Sequence, residues 1–316
     1  MGNLPAFRIS PSRPFLHTGV DYAGPFAIIM RKSRGQKAYK AYIAVFVCLS
    51  TRAVHSELVI DLSTESFLAV FKRFASCRGI PSDLYSNNGT NFQGAEKELS
   101  TTFCRIVNSS DLGTQLATDG TSWHFIPLAA PHFGDIWEAG VKSMKHHLRR
   151  VVGNHTLLSD EFATLLCQIE VCLNSRPISA LTADPENFAT LTPGHFLIGA
   201  LLAAVPEESV LELQENRWSR YQRVRAMLEH FWQSWSRDYL HTLQQRTKWT
   251  RAHLEIKSGE LVLLRNNLLP PSKWSLDRVV AADPGGDGHV RVRNKDLVFM
   301  RPIAQVCRLP VDCDSA

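Results

Sequence analysis

Between residues 18 and 60 the apolar positions fall into three runs, 18–30, 38–49 and 53–60, rich in Val, Ile, Tyr and Phe and divided by the polar stretch 31–37 and a short turn. Runs of this kind predict strands, and connections too short for a crossover predict that they form an antiparallel meander. At residue 63 the period changes. Phe67, Val70, Phe71 and Phe74 follow Ser63-Thr-Glu-Ser66 at helical spacing, and Gly79-Ile-Pro81 closes that helix. A short strand over 83–86 then runs into Asn87-Asn-Gly-Thr90, a turn whose Gly89 permits positive φ, so position 87 falls at the C-terminal tip of a strand. Further along, the pattern predicts a helix over 94–107, a strand near 123–126 and a Pro-rich loop over 127–134. A helix over 135–152 follows, with Ile136, Gly140, Val141, Met144, Leu148 and Val151 along one side, and then one over 159–175 that stops before Pro177.

The remainder reads differently. After a Pro- and Gly-containing stretch that ends at Pro206, residues 217–248 place Leu228, Trp232, Trp235 and Tyr239 at spacings of four, three and four, an amphipathic helix whose aromatic stripe is read as core rather than as a stacking surface. From residue 259 short β runs return (261–264, 279–282, 290–292), split by Pro-Pro and Gly-Gly turns, as in a small barrel. The expected organisation is an extended lead-in over 1–16 carrying Pro5, Pro11 and Pro14, an α/β core over 17–200, a linker and amphipathic helix over 201–250, and a small basic β-barrel over 251–312.

Charge sharpens this division. The net charge is +5, but from Arg217 onward 17 Lys and Arg face 10 Asp and Glu, so the basic excess belongs to the last third and the rest is slightly acidic. A polyanion partner and a merely solubilising surface both fit that excess. The seven cysteines are odd in number, lie in apolar runs and form no Cys-x-x-Cys pair, which predicts buried free thiols in a reducing compartment. No basic-then-apolar leader and no apolar run of about 18 residues occurs, so the expectation is an intracellular protein with no membrane partner.

The candidate chemistry lies in three acid-like positions: Asp21 in the first strand, Asn87 at the tip of the fourth, and Glu138 on a later helix. Strand, strand, strand, helix, strand with carboxylates so placed is the layout of an RNase H-like nucleic-acid processing fold with a mixed five-stranded sheet. Such a site holds two divalent cations roughly 3.5–4 Å apart with anionic oxygens, one cation activating the attacking oxygen and one the leaving oxygen. Asn87 is the degenerate position of the three. Its amide offers a carbonyl oxygen but no charge, and its NH₂ end presents a donor to a cation. Asp83 shares strand parity with position 87 but lies four residues, about 13 Å, away and cannot stand in. Asp135 is nearer, and is read as a helix cap rather than as a ligand. Glu138, Lys142, Lys145 and Arg149 recur at four, three and four residues and line one helix face, extended by His146, His147 and Arg150. That face is either a phosphate-contacting surface or a solvated face that pairs locally with Glu138. His17 is read as structural, and His132 either positions its loop or approaches a nucleic-acid partner.

Four segments are individually uncommon: Thr18-Gly-Val-Asp-Tyr-Ala-Gly-Pro25, Tyr85-Ser-Asn-Asn-Gly-Thr-Asn-Phe-Gln-Gly-Ala95, Ala130-Pro-His-Phe-Gly134 with Trp137-Glu-Ala-Gly-Val-Lys-Ser-Met-Lys145, and Leu173-Asn-Ser-Arg-Pro177. Together they resemble the integrase region of BEL/Pao long-terminal-repeat retrotransposons, and the tail, with Gly259-Glu-Leu-Val-Leu-Leu264 and Arg301-Pro-Ile303, resembles the basic C-terminal region of the same polyproteins. The resemblance implies that Asp21 and Glu138 are the first and third catalytic, metal-holding acids, and that Asn87 stands where the family has Asp. It implies that Lys142 and Lys145, with Arg149 on the same face, contact DNA. It further implies Mg²⁺ or Mn²⁺ as cofactor, with a weakened or absent second site here, and retroelement cDNA ends and target DNA as partners. Homo-oligomers and a nuclear place of action are also implied. The family's His-His-Cys-Cys module has no counterpart in the sequence, so zinc is not expected. Three readings stay open: an integrase with impaired 3′-end processing and strand transfer, a non-catalytic DNA-binding descendant, and a relic with no selected role.

Overall fold

A computed structural model describes residues 10–32, 35, 37–109, 120–125, 135–182, 184, 186–244, 256–266, 269–282, 289–294 and 297–310. The lead-in before residue 10, the Pro-rich loop with His132, and the side chain of Asp135 with its expected capping role lie outside the described residues. The chain divides into two compact units, Met1–Glu170 with Ser219–Met227, and Val171–Trp218 with Leu228–Ala316.

The first unit is a mixed α/β layer structure. Strands β1 (His17–Ile29), β2 (Tyr39–Cys48) and β3 (Val54–Val59) form the expected antiparallel meander, while β4 (Asp83–Ser86) and β5 (Ser122–Phe125) add in parallel on the other side of β1, giving the order β3-β2-β1-β4-β5. The expected five strands gain a sixth. Leu157–Leu158 (β6) pairs in parallel with Ile28 and Ile29 at the far end of β1, a two-residue strand too short for periodicity to reveal.

One sheet face is closed by aromatic packing. Helix α1 (Thr64–Arg78), capped by Ser63 through a bond from the Ser66 N–H at 3.2 Å, buries Phe67, Val70, Phe71 and Phe74. Phe74 stacks on Phe46 of β2 at 4.1 Å and meets Phe15 edge-on at 5.4 Å, so the lead-in residue Phe15 is part of the core. Each such fully buried Phe contributes roughly 2–3 kcal/mol. Helix α2 (Thr90–Ser109) begins four residues before its expected start, because the Gly89 carbonyl already accepts from the Phe92 and Gln93 N–H groups. Gly94, read as the helix start, is instead interior, and a Cβ there would lie 2.3 Å from the Thr64 hydroxyl oxygen, so the residue permits close approach of the two helices.

Helix α3 (Asp135–Val152) covers the opposite face, with Trp137, Val141, Met144 and Leu148 buried, and α4 (Ser159–Asn174) supplies Phe162 against Phe26. Buried Glu170 accepts from the Ser56 N–H at 3.0 Å and from the Arg78 guanidinium, and lies beside His55. Glu161 takes a two-pronged bond from Arg220 at 2.7 and 2.6 Å. Not every thiol is buried as expected. Among the described cysteines all are free, and Cys48, Cys172 and Cys307 are buried, whereas Cys77 and Cys167 are exposed on the outer sides of their helices. None of the described helices is long and apolar enough to cross a membrane.

The second unit carries the antiparallel C-terminal sheet, order β12-β11-β10-β9-β13, built from β9 (Leu261–Leu264), β10 (Ser275–Ala282), β11 (His289–Asn294), β12 (Leu297–Pro302) and β13 (Val306–Arg308). Its core is Val262, Leu264, Val279, Val290, Val292 and Val306. The aromatic stripe of the helix over Arg220–Leu243 (α6) is core, as read: Trp232 and Trp235 are buried, and with Tyr239 they surround Trp274, at 4.9, 6.0 and 5.5 Å respectively. A short β7–β8 hairpin (Ser179–Ala180 with Thr190–Leu191) and a helix over Pro193–Ile198 (α5) were not anticipated, although Thr192-Pro193 at its start and Gly199 at its end are ordinary helix boundary signals.

Asp277 of β10 is fully buried on the same side of its strand as Val279, and neither of its oxygens accepts a hydrogen bond of normal length. Burial pushes its carboxyl up to about 6, with nearby Arg301 and Asn294 opposing. A carboxyl that ionises more easily unfolded than folded favours the folded state while it is protonated. Its contribution therefore falls as pH rises from about 4 to about 6 and is unfavourable throughout above that. Asp277→Asn should stabilise the protein at pH 7.5 by about 3 kcal/mol and should leave it nearly unchanged at pH 3. Paired thermal melts at the two pH values check both statements.

Candidate active site

The site is built on the sheet face that α3 covers. Alternation along β1 puts His17, Gly19 and Asp21 on that face, and the register His17↔Asp83, Gly19↔Tyr85 extends the rows across β4 to Ser122 and His124 of β5. Position 87 continues the β4 row just past the strand's last residue. It sits beside Asp21.

Asn87 Nδ2 donates to Asp21 Oδ1 at 3.0 Å, while Asn87 Oδ1 accepts from the Gly89 N–H at 3.0 Å and so closes the turn that leads into α2. Asp21 Oδ1 also accepts from the Tyr22 N–H at 2.8 Å. Burial raises the Asp21 carboxyl above the usual carboxylate range, and the Tyr22 N–H and the Lys145 ammonium pull against it. Two of the expected residues are thus in direct contact, and a third, Lys145, is close enough to act on Asp21 through its charge.

Helix α3 is positioned by an unusual packing contact. The ring of Trp137 lies directly over Gly19, where a Cβ would come within 2.6–2.7 Å of three ring carbons, and Gly140 faces Val47 of β2. Glu138 follows Trp137 in the first turn and is half-buried. Lys142 is exposed and Lys145 half-buried on the same helix face. Arg149, on the same face, is exposed and donates to the Gly24 carbonyl at 2.9 Å, which ties the end of that face to β1.

Sequence reasoning missed a second polar group on this face. Asp83 Oδ2 meets His17 Nδ1 at 2.8 Å, its Oδ1 meets His124 Nε2 at 2.7 Å, and Ser82 Oγ donates to Oδ2 at 2.7 Å. These bonds lower the Asp83 carboxyl despite its partial burial. His124 also stacks on Tyr85 at 4.7 Å. Asp83 is therefore engaged two rows away from position 87, in keeping with its exclusion as a substitute ligand, and His17 has the structural part expected of it. Strand parity alone could not reveal the cluster, because it needs the register of three parallel strands.

The Asn87 amide nitrogen, a donor, occupies the side of Asp21 where a shared cation would need an anionic oxygen, and only two of the three positions are carboxylates. Among the described residues, no group of three or more His, Cys, Asp or Glu side chains is arranged to hold a metal ion.

Comparison with known proteins adds little that bears on chemistry. Residues 219–309 match a family of unknown function, DUF5641. Among solved structures the chain is similar to a chain of the cryo-EM structure of a simian T-cell lymphotropic virus intasome in complex with the PP2A regulatory subunit B56 gamma. The identity is 10%, the TM-score 0.37, and the match covers 94% of this chain and 79% of that one. None of the curated proteins matches the chain.

The Trp137–Gly19 contact makes a direct prediction. Gly19→Ala should force the ring, and with it the first turn of α3, off the sheet, at a cost of about 1–3 kcal/mol. A lowered thermal midpoint checks it, with Gly140→Ala, whose new methyl would meet only Val47 at 3.8 Å, as the mild control.

Proposed function

We propose that the chain is an integrase-like protein of the BEL/Pao retrotransposon type that binds DNA and whose two-metal site is disabled at Asn87. The observation that carries this reading is the contact between Asn87 and Asp21, which brings the first two of the three expected acid positions together at the ends of neighbouring strands. The strand order, with a meander on one side of β1 and parallel strands on the other, supports an RNase H-like core, and the five-stranded antiparallel sheet supports a small SH3-like barrel after it.

In the reaction proposed for the ancestor, water or a 3′-hydroxyl attacks a phosphodiester in line, and the metals supply charge stabilisation at the attacking and leaving oxygens. Here Asp21 is held by a neutral amide, so this chain's residues bind and position DNA without seating both cations. Losing one oriented donor costs about 10²- to 10³-fold in well-studied sites, and loss of a charged ligand is at least as severe. Lys142 and Lys145 are the proposed phosphate contacts, with Arg149 fixing the end of the helix that carries them.

Three experiments test the reading. Strand transfer with Mg²⁺ or Mn²⁺ should be absent from the protein as it stands and should appear in Asn87→Asp; equal, robust turnover in both would overturn it. Replacement by Asp should also lower the thermal midpoint in chelator, because two carboxylates then face each other across about 3 Å, and Mn²⁺ should restore it. In fluorescence anisotropy with duplex DNA, Asn87→Ala should bind as the parent does. The Lys142→Ala, Lys145→Ala double variant should bind more weakly, with the salt slope reduced by nearly one per lost phosphate contact.

A further inference from the structure

The two edges of the C-terminal sheet are treated differently. On one side β13 is three residues long, its Val306 and Cys307 are buried, and Arg308 is paired with Glu260. On the other side β12 is six residues long, and no strand pairs with its outer edge among the described residues. Its apolar side chains are open: Leu297 is 70% exposed, Val298 58% and Met300 55%. The register Val292↔Phe299 and Arg293↔Val298 places Phe299 on the core side and Val298 and Met300 on the outer side. A long edge strand with apolar residues on both faces is what folded proteins normally blunt with charge, a bulge or a cover.

We propose that β12 is a self-association surface, in which β12 of one chain pairs antiparallel with β12 of a second copy about a twofold axis through Phe299. The geometry of the strand favours its own copy over another occupant. An axis perpendicular to the sheet keeps each face on its own side, so paired residues must share parity, and centring on Phe299 sets Val298 opposite Met300 of the copy and Met300 opposite Val298. On the outer face four exposed apolar side chains then meet only one another. On the core side the two Phe299 rings are adjacent. Arg301, already 4.8 Å from the Phe299 centroid, falls opposite Leu297 of the copy rather than opposite its own equivalent, so no like charges are paired. The pairing joins two five-stranded sheets into one and satisfies the outward N–H and C=O groups of both edges. It involves the second unit alone and stands whether or not the chain binds DNA.

The full chain, without DNA, should show a concentration-dependent monomer–dimer equilibrium in sedimentation velocity. Val298→Lys with Met300→Lys, both at exposed positions, should weaken it at least tenfold without lowering the thermal midpoint. Register is tested separately. Under mild oxidation Val298→Cys with Met300→Cys should give a covalent dimer beyond the level of the parent, whose Cys77 and Cys167 are also exposed. Either single cysteine should not, because identical positions then sit diagonally at roughly 7–8 Å, out of bridging range. A chain that stays monomeric at its highest soluble concentration, a dimer indifferent to the lysines, or cross-linking as strong in a single as in the double variant would each overturn the proposal.

Discussion

Much of the site's geometry depends on the absence of a side chain at position 19. A strand interior normally disfavours glycine, which gives up packing and gains backbone entropy when unfolded. Here the missing Cβ is where the Trp137 ring rests, and that contact sets both the height and the position of α3 over β1. With the first turn anchored there and Arg149 bonded to the Gly24 carbonyl toward the other end, the helix is held at two points along one strand. Glu138, Lys142 and Lys145 lie between these anchors. Their presentation thus follows from the packing of α3 on β1.

The Asp21–Asn87 pair is stable for reasons that separate fold from chemistry. The Asn87 carbonyl oxygen closes a turn by accepting from the Gly89 N–H, a task that a carboxylate oxygen performs equally well. The other end of the side chain differs. An amide donates to Asp21 and compensates part of its desolvation, whereas a carboxylate would place like charge beside a group whose burial already makes ionisation costly. The backbone therefore accepts either residue, while the electrostatics accept Asp only with a cation between. An amide makes the pair self-sufficient without metal.

What could be read from the chain follows the strength of each local signal. The meander, α1, α3 and the aromatic stripe of α6 were legible because their periods persist over many residues. The early start of α2 was not, since Gly94 looks like a boundary while its actual part is to let α2 approach Thr64. The two-residue β6 carries no period at all. At the site, Asp21 and Asn87 were paired by the element layout and the resemblance, and they are in contact, but the Asp83 cluster and the Trp137–Gly19 contact depend on which strands and layers meet, and no single segment encodes that. Gly19 within an apolar strand was the available hint of a close approach, and it went unread. Arg149 carries a contact that its spacing did not announce. Helical spacing aligned it with Lys142 and Lys145, but its length lets it reach back to a backbone carbonyl.

The basic excess of the last third also changes meaning in three dimensions. Arg220 is held by Glu161, Arg293 by Glu186 and Arg308 by Glu260, so the fields of these cations are largely met by an adjacent carboxylate. Arg278 is different: it bonds the carbonyls of Gly259, Asp184 and Asn187, keeping its full charge while its donors are occupied. Such a residue contributes to long-range attraction of a polyanion but has few N–H groups left to contact a phosphate. On α3, by contrast, Lys142 is exposed and the half-buried Lys145 is close enough to Asp21 to favour its ionisation.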